Sequence, residues 1–555
     1  MNRKNVNIPV FYLSIIFITV FISLIYNPRA AFIEEHPITA YEYPSIDMGT
    51  FFERANNPEY LKNDFYTNSI SEPNPRWVFG YFVLTLSSIF GTDWYGILFF
   101  LKAFFSLSLP IILFALVYLK LQKEASINLP ALSFATLVIC WSAYSDDVFD
   151  IFSIAIWHPI YGYAIPQNIG IILSLTSCIF IFYGNSSNYI STGIILIMFL
   201  VSSLIHPAST LMATIFFILM HLDIVNFKKI LLLILTFLIA SISLLIFFYE
   251  PSSLDNKSFI EHYAFNRLPF HYTPSRFESS GLEWIENFII INSIFATISF
   301  ISILKKYKKL AYMSLIALFS YSMSILIQYV FVEQLMTVSI AIIGPSRFSM
   351  FGFWMLVLCL SYFIQLSRKK NSEYDNLKYS NLKRTALIST ALIIISSIIF
   401  TILFKDRPNE WVIENNKPLY EWIENNISED DVIAVPEMVM GINIQLFAKR
   451  AIFSNRPIGP VLFNGKSIKE DKERYEALFG NYNEQKKLEE KFPSLAIAAL
   501  NYYHNLLPRK IKKVSNKYKL DYILFVNRMG DLKSFKYITP VYKSYKYTIY
   551  KISDL

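Results

Sequence analysis

The sequence predicts a polytopic α-helical membrane protein of about eleven transmembrane helices followed by a C-terminal α/β domain. Three observations carry this. Of the 555 residues, 54% are hydrophobic and only 17% charged, whereas a soluble globular domain carries about 25% charge; the polar surface that a water-soluble fold of this size needs is missing. Apolar runs close to the ~20 residues that cross a bilayer recur from residue 8 to residue 404. From Lys405 to Leu555 Lys, Glu, Asp and Asn are spread throughout and no run is long enough to span. The chain therefore divides into a membrane domain, 1–404, and a soluble domain, 405–555.

The runs fall at about 8–26, 95–119, 127–145, 168–184, 190–205, 208–225, 230–249, 288–304, 310–330, 346–367 and 385–404. The first follows Arg3 and Lys4 like a signal peptide, but it is too long for a signal core and no small-x-small cleavage site follows, so it reads as a retained span. One further segment, Trp77–Phe90, decides the parity. If it does not cross, Arg3, Lys4, Lys120, Lys123, Lys228, Lys229, Lys305 to Lys309 and Arg368 to Arg384 share one face, and the acidic stretches 34–72, 146–150 and 250–286 share the other. Positive-inside bias places the basic face in the cytoplasm. Trp77–Phe90 then reads as an aromatic-rich helix in the outer interface, and the outer loops 27–94, 146–167 and 250–287, with the C-terminal domain, are extracytoplasmic. The net charge of +8 belongs to this topology rather than to nucleic acid. Cys140, Cys178 and Cys359 all lie in apolar runs, where cysteine acts as a small hydrophobe; the soluble domain has no thiol for a disulfide or zinc site.

The spans are nearly free of charge away from their ends, and neither inverted repeats nor paired broken helices are visible, which disfavours a transporter or flippase. The chemistry concentrates in the outer loops. In the first, Phe51, Phe52 and Ala55 alternate with Glu53 and Arg54 in a helix that begins just after Asp47; Asp47 is then either a helix cap or a functional carboxylate at a helix N-terminus. Asp64, ahead of Phe65-Tyr66, has the same two readings, turn residue or functional acid. In the second, Asp146, Asp147 and Asp150 stand together without a nearby cation and lead into Trp157-His158-Pro159. Such a group can hold a hard divalent cation, Mg2+ or Mn2+, through oxygen ligands, or can be a solvated acidic loop. His206-Pro207 reads as a helix end. In the third, His262, Arg267, His271 and Arg276 are interleaved with aromatics and prolines. They can clamp an anionic headgroup, since Arg matches phosphate in a bidentate fork, or anchor the loop at the interface. Arg347 opens the run at 346–367, and Lys102 sits several residues inside the second span, where a charge needs a partner or a cavity. Lys102, Arg267, His271 and Arg347 together could neutralise a lipid phosphate.

The first outer loop opens with Asp47 and carries Pro58-Glu-Tyr-Leu, Asp64-Phe and Asn74-Pro-Arg76-Trp77 before a helix ending in Phe90-Gly91; a second acidic loop follows. With Tyr420 to Asn426, Asp430 to Pro436 and Lys449-Arg450 in the soluble part, this resembles the GT-C superfamily of polytopic membrane glycosyltransferases, and bacterial multi-pass GT-C-like proteins of unassigned function in particular. The resemblance implies transfer of a sugar from a polyprenyl-phosphate donor to a glycan, lipid or protein acceptor on the outer face of the bacterial cytoplasmic membrane. It casts Asp47 as the general base, has Asp64 and Asp146, Asp147 and Asp150 orienting acceptor or metal, and gives the departing lipid phosphate to the cationic residues. Asp47 stands about twenty residues beyond the first span, farther than in the better-understood branches. A non-catalytic scaffold of envelope polysaccharide assembly is the alternative.

In the soluble domain, helices are expected at 417–426, 441–448 and within 484–507, and strands at 432–436, 450–453, 522–526 and 542–552. There is no glycine-rich phosphate loop and no nucleophile elbow, and the Lys-rich 509–519 reads as a solvated helix face.

Overall fold

The computed structural model describes residues 48–121, 166–184, 189–248, 253–267, 273–276, 283–304, 307–359 except 353, 356 and 357, 416–454 except 437, 465–489, 495–527 and 537–553. The expected runs at 8–26, 127–145 and 385–404 lie outside these residues. Seven of the others appear as helices Trp94–Leu121, Pro166–Tyr183, Tyr189–Ile205, Pro207–Met220, Phe227–Phe248, Glu283–Leu304 and Lys308–Ile327, and the run at 346–367 is described only in part, as far as residue 359. Lys308–Ile327 is continued by a π-helix, Gln328–Gln334. Among the described residues Pro166–Tyr183, Phe227–Phe248 and Lys308–Gln334 are long and apolar enough to cross a membrane. On Phe227–Phe248 the exposed residues include Leu238, Ile239, Leu245, Ile246 and Phe247; an outward face this apolar suits lipid, not water. The segment Trp77–Phe90 is a helix of 14 residues, about 21 Å long at 1.5 Å per residue and shorter than a ~30 Å hydrocarbon core. It stops at Gly91, whose φ of 62° is a left-handed conformation that glycine adopts without steric cost.

One glycine sets a helix contact. A Cβ on Gly352 would come within 2.6 Å of the Ala317 carbonyl and 2.7 Å of the Tyr321 backbone nitrogen, so the segment after Pro345–Phe348 meets Lys308–Ile327 almost backbone to backbone. Gly352→Ala is expected to cost about 1–3 kcal/mol through overpacking, seen as a lower yield of folded protein and a lower unfolding temperature in detergent.

Both ends of the bundle carry polar seams. At the C-terminal end of Trp94–Leu121, Lys120 pairs with Asp223, and the Lys309 ammonium donates to the Lys120 carbonyl at 3.5 Å. Lys229 donates to the Ile181 carbonyl and the Tyr312 hydroxyl to the Leu219 carbonyl. Trp94, at the start of that 28-residue helix and roughly 40 Å away, donates its indole N–H to Glu53 at 2.9 Å. Basic residues and the first loop therefore occupy opposite ends of one long helix.

The described residues between 416 and 553 form a three-layer α/β/α arrangement. Strands β1 (Val432–Ala434), β2 (Ala451–Ile452), β3 (Tyr522–Val526), β4 (Ile538–Lys543) and β5 (Tyr547–Ile552) lie in the order β2-β1-β3-β5-β4. The first three are mutually parallel and the last two antiparallel. Alternation with period two sends Val432, Ala434, Ile523 and Phe525 into one core, against helices Gly465–Phe479, Leu495–His504 and Pro508–Lys517. Ile433, Tyr522 and Leu524 enter the other, against Lys417–Asn426 and Met438–Phe447. Burial on both faces is why the central strands read as short continuous apolar runs. Two details differ from the sequence reading. The segment 542–552 is a hairpin rather than one strand, because β4 begins at Ile538 and accommodates Pro540 at the sheet edge with a register shift before Tyr542. The helix Gly465–Phe479 was not expected at all. The Lys-rich segment is a helix with Ile511 and Val514 buried beneath it.

His504 ends its helix buried against the rings of Tyr503 and Phe525, with no hydrogen-bond partner on either ring nitrogen. Burial pushes its pKa down to about 4. Its contribution to stability is thus complete above the ordinary histidine pKa near ~6.5. It is lost as pH falls from there toward about 4, because the unfolded chain takes a proton that the folded chain refuses. Thermal unfolding at pH ~7 and ~5 is expected to show a larger acid loss for wild type than for His504→Phe.

Candidate functional site

The first loop is built around Arg54. The helix Gly49–Asn56 begins immediately after Met48, as expected; Asp47 lies outside the described residues. Phe52 stacks on Trp94 with centroids 5.0 Å apart, and Phe51 packs edge-on against Tyr81 of Trp77–Phe90. Arg54 then reaches forward: its guanidinium donates to the Tyr60 carbonyl at 2.7 and 2.9 Å, to the Leu61 carbonyl at 2.6 Å and to Asn68 Oδ1 at 2.6 Å. Five donors in a rigid fork suit this clustering of carbonyls, and they hold a turn in which Leu61 has φ 49°, a conformation costly for a branched side chain.

Asp64 caps the next helix, Phe65–Ser71, and is fully buried (0% exposed). Its Oδ1 accepts from the Thr67 amide at 2.7 Å and the Thr67 hydroxyl at 2.8 Å. Gln445 Nε2 donates to both carboxylate oxygens at 2.9 Å, and the Ile452 amide donates to Oδ2 at 2.9 Å. The residue read from sequence as turn residue or functional acid therefore has both oxygens engaged by protein donors, two of which come from the C-terminal domain. Tyr60 donates to the Gln445 carbonyl and Asn63 to Asp430 at 2.8 Å beside it. Arg474 lies over the rings of Phe65 and Phe453.

The third loop reaches the same junction. After Asn256–Ile260, capped by Asp255, the backbone widens into a π-helix, Glu261–Arg267. His262 is 1% exposed and its Nε2 lies 2.6 Å from Asp471 Oδ2; the other oxygen of Asp471, itself 0% exposed, accepts from the Tyr66 hydroxyl. Phe259, Ile260, Tyr263 and Ile468 surround this trio. The Tyr475 ring meets His262 edge-on, and Phe265 packs on Tyr482. Farther along the loop Ser275 donates through its amide (2.9 Å) and hydroxyl (2.6 Å) to Glu333, on the second π-helix.

Of the residues singled out from sequence, Lys102 lies within Trp94–Leu121, Arg267 ends the first π-helix, and Arg347 lies in the 3-10 turn Pro345–Phe348 that follows Gly344 in a left-handed conformation (φ 63°). Asp47, Asp146, Asp147, Asp150, His158 and His271 fall outside the described residues. His206 caps Pro207–Met220, its Nδ1 accepting from the Ser209 amide at 3.2 Å. Among the described residues no group of three or more His, Cys, Asp or Glu side chains could hold a metal ion.

No protein-family model matches the chain, and no curated protein does. Among solved structures it is similar to the Archaeoglobus fulgidus oligosaccharyltransferase, crystallised with a tethered acceptor peptide containing the NVT sequon. Identity is 12% over 94% of this chain and 70% of that one, with a TM-score of 0.48.

Sequence reasoning missed Asp471, Gln445 and the clamping role of Arg54. Asp471 left a trace: Ile468, Tyr475, Leu478 and Phe479 recur at helical spacing, and position 471 falls on that apolar stripe, where a carboxylate needs a buried partner.

Removing the Asp64 carboxylate leaves the Ile452 amide and the Gln445 side chain without their acceptor in a dry site. Asp64→Ala is expected to destabilise by about 1.5–3 kcal/mol, the range for losing hydrogen bonds to a charged group and stranding buried donors, and Asp64→Asn by less. Limited proteolysis between residues 56 and 72 of purified protein reads the difference.

Proposed function

We propose that the protein is a membrane glycosyltransferase that moves a sugar from a polyprenyl-phosphate-linked donor to an acceptor at the outer face of the cytoplasmic membrane. The observation that supports this best is the junction itself. The first and third loops and the C-terminal domain converge through Asp64, Tyr66, His262 and Asp471, at the end of the bundle opposite Lys120. A donor with its lipid tail in the bilayer and its phosphosugar above it needs such a place, where an apolar exterior meets loops with acids and cations.

In this reading Asp47, two residues before the helix that Arg54 anchors, deprotonates the acceptor hydroxyl as general base. The hydroxyl oxygen forms the new bond to the anomeric carbon while the bond from that carbon to the phosphate oxygen breaks. The departing polyprenyl phosphate gains negative charge, and Arg347, Arg267, His271 and Lys102 neutralise it. Asp64, with its lone pairs spent on protein donors, holds the loop. Asp146, Asp147, Asp150 and His158 orient the acceptor or hold Mg2+ or Mn2+.

Asp47→Asn and Arg347→Ala are each expected to lower transfer from a synthetic polyprenyl-phosphate sugar at least about a hundredfold, the scale of a lost general base or oxyanion partner, with expression unchanged. Wild-type-like transfer by Asp47→Asn would remove it as base, and a wild type inert toward all such donors would favour the scaffold reading. A reporter fused after Leu555 should be active only outside the cytoplasm.

A further inference from the structure

We propose that Asp471 is a positioning residue for this transfer reaction, and that the C-terminal domain is thereby part of the catalytic unit; the proposal rests on the transferase reading above. Asp471 sits on Gly465–Phe479, far in sequence from both loops, yet its two oxygens are shared between them: one takes the Tyr66 hydroxyl, the other His262 Nε2 at 2.6 Å. From Tyr66 the connection runs along Phe65–Ser71 to Asn68, whose Oδ1 accepts from Arg54 at 2.6 Å, and through Arg54 to the helix that begins two residues after Asp47. From His262 it runs along the π-helix to Arg267 at its last position. One carboxylate thus ties the helix that follows the proposed base to the π-helix that ends at a proposed phosphate ligand.

Adhesion alone does not account for this group. Asp64 already ties the domain to the first loop through Gln445 and Ile452, and the Asp471 trio is set in an apolar cluster of Phe259, Ile260, Tyr263 and Ile468 that would adhere without it. A carboxylate there carries a desolvation cost that apolar side chains of similar volume avoid. What it adds is direction: two hydrogen bonds fix two backbone segments at set angles, where apolar contacts would let them slide. Pi-helical segments like Glu261–Arg267 are themselves frequent at functional sites.

The triple variant Tyr66→Phe, His262→Leu, Asp471→Leu separates position from stability. In the full-length protein it is expected to keep the unfolding temperature of wild type or exceed it. Its kcat should fall about tenfold or more while KM for the lipid donor stays within about twofold, since misplacement of a reacting group by about 1 Å is costly. Unchanged kcat in the folded triple variant would overturn the proposal. Asp471→Asn, which alters one atom, serves if the triple variant does not fold. Hydrogen exchange reads it without any activity: exchange should rise in both 65–71 and 256–267 and remain unchanged in 227–248, and a rise in only one loop, or in neither, overturns positioning. A wild type that transfers no sugar but shows this paired loosening in Asp471→Asn would sink the transferase reading and leave the coupling of the two loops standing.

Discussion

Two buried carboxylates hold the upper part of this molecule together. Asp64 and Asp471 are both fully buried, where an isolated charge would be prohibitively expensive, and each takes hydrogen bonds from distant parts of the chain. Asp64 draws on Thr67, Gln445 and Ile452, and Asp471 on Tyr66 and His262. The two work in opposite directions: an acid from the loop enters the domain, and an acid from the domain enters the loops. Thr67 reaches only Oδ1 of Asp64, and the domain supplies the donors to Oδ2, so the first loop, the third loop and the domain are tied together by the cost of stranding buried acceptors.

The local chemistry prepares these contacts. Arg54 orders the turn at Leu61 by collecting the Tyr60 and Leu61 carbonyls, which fixes where Asp64 can cap Phe65–Ser71. That helix then presents Tyr66 to Asp471 and Ser69 to Ser467. On the domain side, Met438–Phe447 supplies Gln445 and the start of β2 supplies the Ile452 amide. A sheet whose central strands are buried on both faces is a stiff platform for them.

The bundle needs less specific forces. Its outward residues suit lipid, its helices meet through aromatic stacking such as Phe216 on Phe351 and through close approach at Gly352, and its charges gather at the end marked by Lys120 and Asp223. Polar groups inside mostly satisfy the backbone of their own helix or its neighbour, as Ser202 does with the Gly170 carbonyl and with Thr210. Directional bonding is concentrated at the loops and the domain.

Much of this was legible in the sequence for a physical reason. Burial in lipid demands long apolar runs, and those runs gave the described bundle helices nearly to the residue at Trp94–Leu121 and Tyr189–Ile205. The continuous apolar run Tyr522–Val526 matches the limits of β3, and the helix after Asp47 is visible in the spacing of Phe51, Phe52 and Ala55. The hairpin at 538–552 was read as one strand because Pro540 conceals the beginning of β4. Gly465–Phe479 was overlooked because its apolar stripe is thin and interrupted by Asp471 itself. The sequence by itself thus determined which segments leave water and where the charged loops lie, since hydropathy and charge are properties of each residue. Only the tertiary structure decided what the acids in those loops do. Whether a carboxylate meets solvent, a metal or a protein donor depends on groups hundreds of residues away, and in Asp64 and Asp471 those groups are donors from the opposite side of the junction.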